Sequence, residues 1–327
     1  MTGVQRVAFE LLKGLKNVTK ITVISNPYSG LVGHLYEQLV IPFKIPKHGT
    51  LISPLNIGPI FVKNQIVIIH DIASIDHPEW FNWKFKIFYN LITPILIKRV
   101  TSIVTVSQFT KSRLIQKYDV PEDKITVILN GVDYDFFNGT TDKKYIKNSN
   151  LQEGSYILSV CSIEPRKNIE NLIKAWLQSN LHLKGYKLVF AGSAGANFSE
   201  VEQFTDKSII WLGYVAEESL PALYQNAKAF VYVSLYEGFG LPPLEAMAAG
   251  IPVLASNTTA IPEVVGDCGV LVDPLSIEAI AAGLNAVVEN SSDLSSKCAE
   301  RARAFSWDKF SSEFLAALKK HNNWKDS

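Results

Sequence analysis

The sequence predicts a two-domain α/β protein in which each domain is a doubly wound parallel sheet flanked by helices. Short β-branched and aliphatic runs alternate with helix-length segments, the pattern of parallel strands joined by crossover helices. A length of 327 residues suits two ordinary domains, and a 47% hydrophobic content is ample for two cores. A polar stretch from Asn138 to Gly154 falls near mid-chain and reads as the linker.

The first half offers strands at Ile21 to Ser25, Gln65 to Ile69, Ser102 to Val106 and Ile125 to Ile128, with helices at Val4 to Leu15, Trp83 to Lys98 and Lys111 to Lys117. The second half offers strands at Tyr156 to Val160, Lys187 to Ala191, Ile209 to Leu212, Ala229 to Val233, Val253 to Ala255 and Gly269 to Val272. Helices are expected at Asn168 to Gln178, Leu220 to Asn226, Pro243 to Ala249 and Ile277 to Val288. The expected domains are 1–145 and 146–305, with 306–327 a helix packing back towards the first. Ligands commonly bind in the cleft between two such domains. The chain enters a helix directly after Met1-Thr2-Gly3, where a doubly wound domain ordinarily begins with a strand. The expectation is that this first strand is missing.

Thirty-two basic residues against 31 acidic ones leave a net charge of +1, without the basic footprint that nucleic-acid binding demands. Phosphate binding must therefore come from a few placed residues. Cys161, Cys268 and Cys298 are odd in number and lack metal-ligand spacing, as expected of idle thiols in a reducing compartment. With no basic-then-apolar leader and no charge-free run of about 18 residues, the expected location is cytoplasmic. The Asn-X-Ser/Thr sequons then carry no weight.

Three segments carry candidate chemistry. Glu237-Gly-Phe-Gly-Leu-Pro-Pro-Leu-Glu245 follows an apolar strand. Its glycines let backbone approach a ligand, and its prolines open a helix whose N-terminus favours an anion. An ordinary strand–turn–helix with solvated glutamates explains the same spacing equally well. Arg166 and Lys167, in Glu164-Pro-Arg-Lys-Asn168, place two cations after a strand, where they could clamp a diphosphate or merely begin a helix. His70, after the Gln65 to Ile69 strand, could exchange hydrogen bonds with a sugar hydroxyl, although a lone histidine there is more often structural. Gly3, Gly213, Gly192 and Gly195 lie in loops where backbone could approach a ligand, and most such glycines only serve turns.

Together these segments resemble the retaining glycosyltransferases of family 4. The matching stretches are Thr2-Gly-Val-Gln-Arg6, Ile69-His-Asp71, Val106-Ser-Gln-Phe-Thr110, Asn130-Gly-Val-Asp133, Glu164-Pro-Arg-Lys-Asn168, Ala191-Gly192 and Leu212-Gly-Tyr214. Ser234 to Gly250 (SLYEGFGLPPLEAMAAG) is the most specific, and Pro252-Val-Leu-Ala255 and Ile261-Pro-Glu-Val264 extend it. The resemblance covers nearly the whole chain in the family's order and implies the GT-B fold, two Rossmann-like domains facing a cleft.

It also implies a site. Glu237 is expected near the transferred sugar's hydroxyls and Glu245 at the nucleotide ribose. The backbone of Gly238, Phe239, Gly240 and Leu241 is expected at sugar and phosphates, and Lys167 at the diphosphate. Ser162 stands where many members carry an arginine, so that task passes to Arg166. Gly3 corresponds to a glycine loop abutting the phosphates, His70 to a cleft histidine near the reacting sugar, and Tyr214 to the segment edging the base. Retention in such folds is explained by front-face attack, the leaving phosphate taking the acceptor's proton. No cofactor and no metal are expected. The Asp133-Tyr134-Asp135 triplet has metal-binding spacing but falls in a turn where the family usually carries an acidic residue. Relatives with similar Thr-Gly-Val-Gln-Arg and Ser53-Pro-Leu-Asn-Ile-Gly-Pro59 segments build bacterial surface polysaccharides. The expected donor is therefore GDP-mannose, with a UDP-hexose as alternative, and the acceptor a glycan or lipid-linked glycan of O-antigen, capsule or exopolysaccharide.

A sugar-nucleotide epimerase and an inactive partner subunit are the competing readings. The aromatic and lysine-rich run Trp80 to Tyr89 suits peripheral contact with the inner face of the cytoplasmic membrane, though a helix packed on the first sheet is the plainer reading.

Overall fold

The structure, a computed structural model, describes residues 2–16, 20–193 and 206–322. The chain divides into two compact units. Unit 1 comprises Met1–Pro78, Trp83–Gly131 and Trp307–Ser327, and unit 2 comprises Glu79–Asn82 and Val132–Ser306.

Unit 1 is built on four parallel strands, β1 (Leu51–Ser53), β2 (Gln65–Ile69), β3 (Ser102–Thr105) and β4 (Ile125–Val127), paired in chain order. β2 and β3 are buried along their whole length, as parallel strands covered on both faces must be. Their Val67, Ile69 and Ile103 pack with Leu96, Ile97 and Leu114 from the Trp83–Arg99 and Gln108–Tyr118 helices. The Gly3–Lys16 helix starts at a capping box. Thr2 Oγ1 accepts from the Gln5 N–H at 3.3 Å, while Gln5 Oε1 accepts from the Thr2 N–H at 3.0 Å. The C-terminal helix, Trp307–Asn322, packs against it and belongs to unit 1.

Two sequence expectations fail here. Ile21 to Ser25 is not a strand: the segment lies against no neighbouring strand and Val23 is exposed, so its β-branched side chains have no pleated surface to cover. Nor is Asn138 to Gly154 a linker between units. Val132–Ser306 is continuous within unit 2, so the chain crosses at Gly131–Val132, ahead of the boundary expected at 145. The Tyr134–Asn138 and Lys144–Asn148 helices bury Phe137 and Ile146, and Leu151 is buried beyond them. A few well-spaced apolar residues anchor a stretch that looks polar on average.

Unit 2 holds six parallel strands, β5 (Tyr156–Val160), β6 (Lys187–Ala191), β7 (Ile209–Trp211), β8 (Ala229–Tyr232), β9 (Val253–Ser256) and β10 (Val270–Val272). Their order is β10-β9-β8-β5-β6-β7. The chain winds from β5 through β6 to β7, then returns to the other side of β5 for β8, the order of a dinucleotide-binding sheet. Trp176, Leu188, Val231 and Leu284 lie in one core beneath the helices Ile169–Ser179 and Ile277–Glu289. The Trp176 indole N–H donates to Ser208 Oγ at 2.9 Å, so even this polar edge is satisfied.

Candidate functional site

The strand order of unit 2 reverses between β5 and β8. Loops leaving the carboxyl ends of strands at such a reversal frame a crevice, and ligands of open α/β sheets bind there. Residues 161–168 leave β5 and residues 233–240 leave β8, and these are the two segments on which the sequence concentrates its charged and glycine-rich motifs.

The first loop is shaped by its own sequence. Pro165 opens a short 3-10 turn, Pro165–Lys167, and Asn168 ends it in the left-handed region at φ 59° before the Ile169–Ser179 helix. Asparagine tolerates that conformation. Its side-chain amide donates to the carbonyls of Val233 at 3.1 Å and Pro274 at 2.6 Å, pinning the loop to those following β8 and β10. The Leu235 N–H donates to the Arg166 carbonyl at 2.8 Å.

This arrangement brings Arg166, Lys167 and Glu237 together. Lys167 Nζ lies 2.5 Å from Glu237 Oε1 and donates to the Tyr232 hydroxyl at 2.6 Å, which in turn donates to Glu237 Oε1 at 2.9 Å. Arg166 Nη1 donates to Glu237 Oε2 at 3.1 Å, and Nη2 lies 2.7 Å from Glu164 Oε1. Two cations and two carboxylates thus neutralise one another in a largely buried cluster. Burial alone would push the Glu237 carboxyl up, but the Lys167 ammonium and then the Arg166 guanidinium outweigh it and hold its pKa at about 2. Glu164 goes the other way, because burial exceeds the pull of the same two cations. Burial, and then the Glu237 carboxylate, keep the Tyr232 phenol well above its ordinary value, so it remains a donor.

Gly238, Phe239, Gly240 and Leu241 continue directly into the Leu241–Ala248 helix. Gly240 sits at φ 117°, where a Cβ would meet Ile261 Cδ1 at 2.8 Å, so only glycine fits. Prolines at the first turn fix its geometry but carry no N–H, so donors at this helix end come from residues 238–241. Glu245, one turn on, accepts from the buried Tyr224 hydroxyl at 2.9 Å. Tyr214 follows the edge strand β7 and is exposed. Gly192 and Gly213 are tied by an N–H to carbonyl bond of 2.7 Å, while Gly195 lies outside the described residues.

His70 and Gly3 belong to unit 1. The His70 ring is buried, with Nε2 2.8 Å from the Pro54 carbonyl, and its backbone N–H donates to Asn56 Oδ1 at 2.6 Å. A carbonyl only accepts, so Nε2 carries the proton and Nδ1 is left as an acceptor. Burial lowers the His70 pKa against smaller upward pulls from Pro54 and Asp71, which favours the neutral ring. Gly3 is the first residue of its helix, one position past the capping Thr2.

Sequence reasoning missed four participants. Glu164 was legible as part of its motif but carried no role, and Tyr232 reads as one more apolar strand residue. Tyr224 and the Pro54–Asn56 turn are visible only as long-range partners. Asp133, from the Asp-X-Asp triplet, caps the Tyr134–Asn138 helix by accepting from the Phe136 N–H at 3.0 Å. Among the described residues, no group of three or more His, Cys, Asp or Glu side chains is placed to hold a metal.

Residues 141–305 match the family described as glycosyl transferases group 1, and residues 61–136 match glycosyltransferase family 4. The chain belongs to the group 1, family 4 glycosyltransferases. It is 32% identical over 272 residues to O-antigen chain mannosyltransferase B of Escherichia coli, covering 79% of this chain and 71% of that protein. It is also 32% identical over 217 residues to O-antigen chain mannosyltransferase RfbU of Salmonella typhimurium, covering 65% and 58%. The Anabaena protein HepE, solved with UDP and glucose, superposes with a TM-score of 0.73 at 17% identity, covering 97% of this chain and 96% of that one. The fold of this glycosyltransferase is GT-B, with two Rossmann-like halves. It is an enzyme of the glycosyl-transferring class, EC 2.4.

Proposed function

We propose that this glycosyltransferase moves a hexose, mannose first, from a nucleotide-sugar donor to a glycan or lipid-linked glycan acceptor during O-antigen, capsule or exopolysaccharide synthesis. GDP-mannose is the favoured donor, on the strength of relatives named O-antigen mannosyltransferases. A UDP-hexose is the alternative, since HepE was solved with UDP. The observation that carries the reading is the Arg166–Lys167–Glu237 cluster at the strand-order reversal of unit 2.

In this reading the donor diphosphate takes up the charge of Arg166 and Lys167, which the two carboxylates neutralise in its absence. Each charge-assisted hydrogen bond to phosphate contributes about 1.5–3 kcal/mol, and more as charge builds on the departing group. The acceptor oxygen attacks the anomeric carbon as its bond to phosphate breaks. The leaving diphosphate takes the acceptor's proton, with retention of configuration and without a metal. Glu237, with a pKa of about 2, is no proton shuttle at neutral pH. It serves as a fixed acceptor for sugar hydroxyls and as counter-charge to Lys167. His70 acts as an acceptor through Nδ1, and Glu245 holds the ribose. Gly3 and the 238–241 amides lie against the phosphates and sugar, and Tyr214 against the base.

Incubating the chain with GDP-mannose or UDP-hexoses and oligomannoside acceptors, in excess chelator, tests this. An elongated product retaining the donor's anomeric configuration by NMR is expected. Epimerised donor without elongation, activity only after a divalent metal is restored, or inversion would each refute the corresponding part.

A further inference from the structure

Residues 257–260 leave the carboxyl end of β9, beside the loop that leaves β8 and carries Glu237. Thr259 in that turn has a φ of 60°, in the left-handed region. Among the described residues the other five non-glycine residues with positive φ are Asn or Asp, which tolerate it, and Thr259 is the one β-branched side chain there. A β-branched residue is crowded in this conformation, so it persists only where the surroundings over-determine it. Here they do. Thr259 Oγ1 accepts from the Glu237 N–H at 3.2 Å, and the next residue, Ala260, donates its N–H to the Glu237 carbonyl at 3.4 Å. Both main-chain polar groups of Glu237 are thus held by two consecutive residues of one turn. Ala260 is buried and leads into the Ile261–Val265 helix, and Ile261 stands against Gly240 at the far end of the same 237–240 loop.

We infer that Thr259 is a positioning residue for Glu237, kept in a strained conformation because its hydroxyl fixes the main chain that aims the Glu237 carboxylate. The inference rests on the reading of Glu237 as a fixed acceptor for hydroxyls of the transferred sugar. Glycine would take up the same φ freely, but it has no hydroxyl to offer the Glu237 N–H. Threonine has one, and the two substituents on its Cβ leave few χ1 rotamers, so the oxygen stays where the bond needs it. Arg166, Lys167 and Tyr232 hold the far end of the Glu237 side chain. In the proposed reading the two cations turn in part to the diphosphate once the donor enters. The main-chain clamp involves no charged group and has no part in that exchange. It keeps the carboxylate aimed at the sugar while its counter-ions shift.

Three substitutions test it, each followed by transfer kinetics, melting temperature and calorimetric affinity for GDP and UDP. Thr259→Gly removes the hydroxyl together with the strain, Thr259→Val removes the hydroxyl and keeps the branched shape, and Thr259→Ser keeps the hydroxyl. The kcat for transfer should fall roughly tenfold in Thr259→Gly and Thr259→Val, the scale of one hydrogen bond, and stay within about twofold of wild type in Thr259→Ser. Affinity for the nucleoside diphosphate, which lacks the sugar, should stay within about twofold in all three. Wild-type kcat in Thr259→Gly or Thr259→Val, or as large a loss in Thr259→Ser, would overturn the inference. So would activity that merely follows melting temperature across the series. Glu237→Gln separates the inference from the reading beneath it. Transfer lost in Glu237→Gln but full in Thr259→Gly overturns the inference alone, whereas full transfer in Glu237→Gln overturns both.

Discussion

Unit 1 and unit 2 solve the same α/β problem with different degrees of closure. Of the 17 large apolar side chains exposed among the described residues, 13 lie in unit 1, although it is the shorter unit, and 4 in unit 2. Unit 2 instead draws four charged side chains into its interior, at the point where its strand order reverses. Burying charge is costly unless every member is paired, and leaving large apolar side chains in water forgoes the gain from covering them. Unit 2 thus departs from a self-sufficient fold at one cluster, the one proposed above to take a diphosphate, whereas the exposed apolar side chains of unit 1 are spread over several of its helices and loops.

The sharpest way to separate the two is to remove the buried cation. Lys167→Ala should lower transfer activity by about 10²–10³-fold, as loss of one group stabilising the developing charge does elsewhere. A comparable loss in Leu91→Ala with a soluble acceptor would erase the distinction between the units. Stability should divide the same way. Trp176→Ala, deep in unit 2, should cost about 3–5 kcal/mol, against under about 0.5 kcal/mol for Leu91→Ala, read from denaturant unfolding.

The units should also respond to acid in different windows. His70 has a lowered pKa, so the stability of its neutral form is fully present above its ordinary value of 6.5 and is lost as pH falls through the folded value. Glu237 is depressed to about 2 from 4.5, so its contribution is present above 4.5 and declines as pH falls towards 2. Melting temperatures followed downwards in pH should therefore fall first through unit 1 and later through unit 2. His70→Gln should flatten the first fall alone, and Glu237→Gln the second. A modest effect is expected of Tyr224→Phe, which removes one hydrogen bond to Glu245 and should cost about 1 kcal/mol without a large change in activity.

What was legible in the sequence follows the range of the interactions involved. β2, β5 and β6 are mostly apolar and mostly buried, each with one polar residue, and their bounds are as the sequence predicts. β1 is three residues at a sheet edge and carries no periodicity to read. Ile21 to Ser25 has strand composition without a strand neighbour, and composition cannot reveal that. The segment after Asn138 hides two anchoring side chains, Ile146 and Leu151, in a polar average. Arg166, Lys167 and Glu237 were each visible in their own motifs. Their mutual neutralisation was not, because Glu237 lies some seventy positions along the chain from the cations and the tyrosine bridging it to Lys167 is indistinguishable from core. On the Trp83–Arg99 helix the sequence shows both faces as apolar, and only the structure tells which one is covered.

If the cluster after β5 and β8 is a diphosphate site, calorimetric titration of the full chain with GDP, UDP and inorganic pyrophosphate, in chelator, should show it. One nucleoside diphosphate is expected to bind more tightly than pyrophosphate, and Lys167→Ala should weaken that binding at least roughly tenfold. Undiminished nucleotide binding by a folded Lys167→Ala protein would contradict it, as would a wild-type chain that binds none of the three.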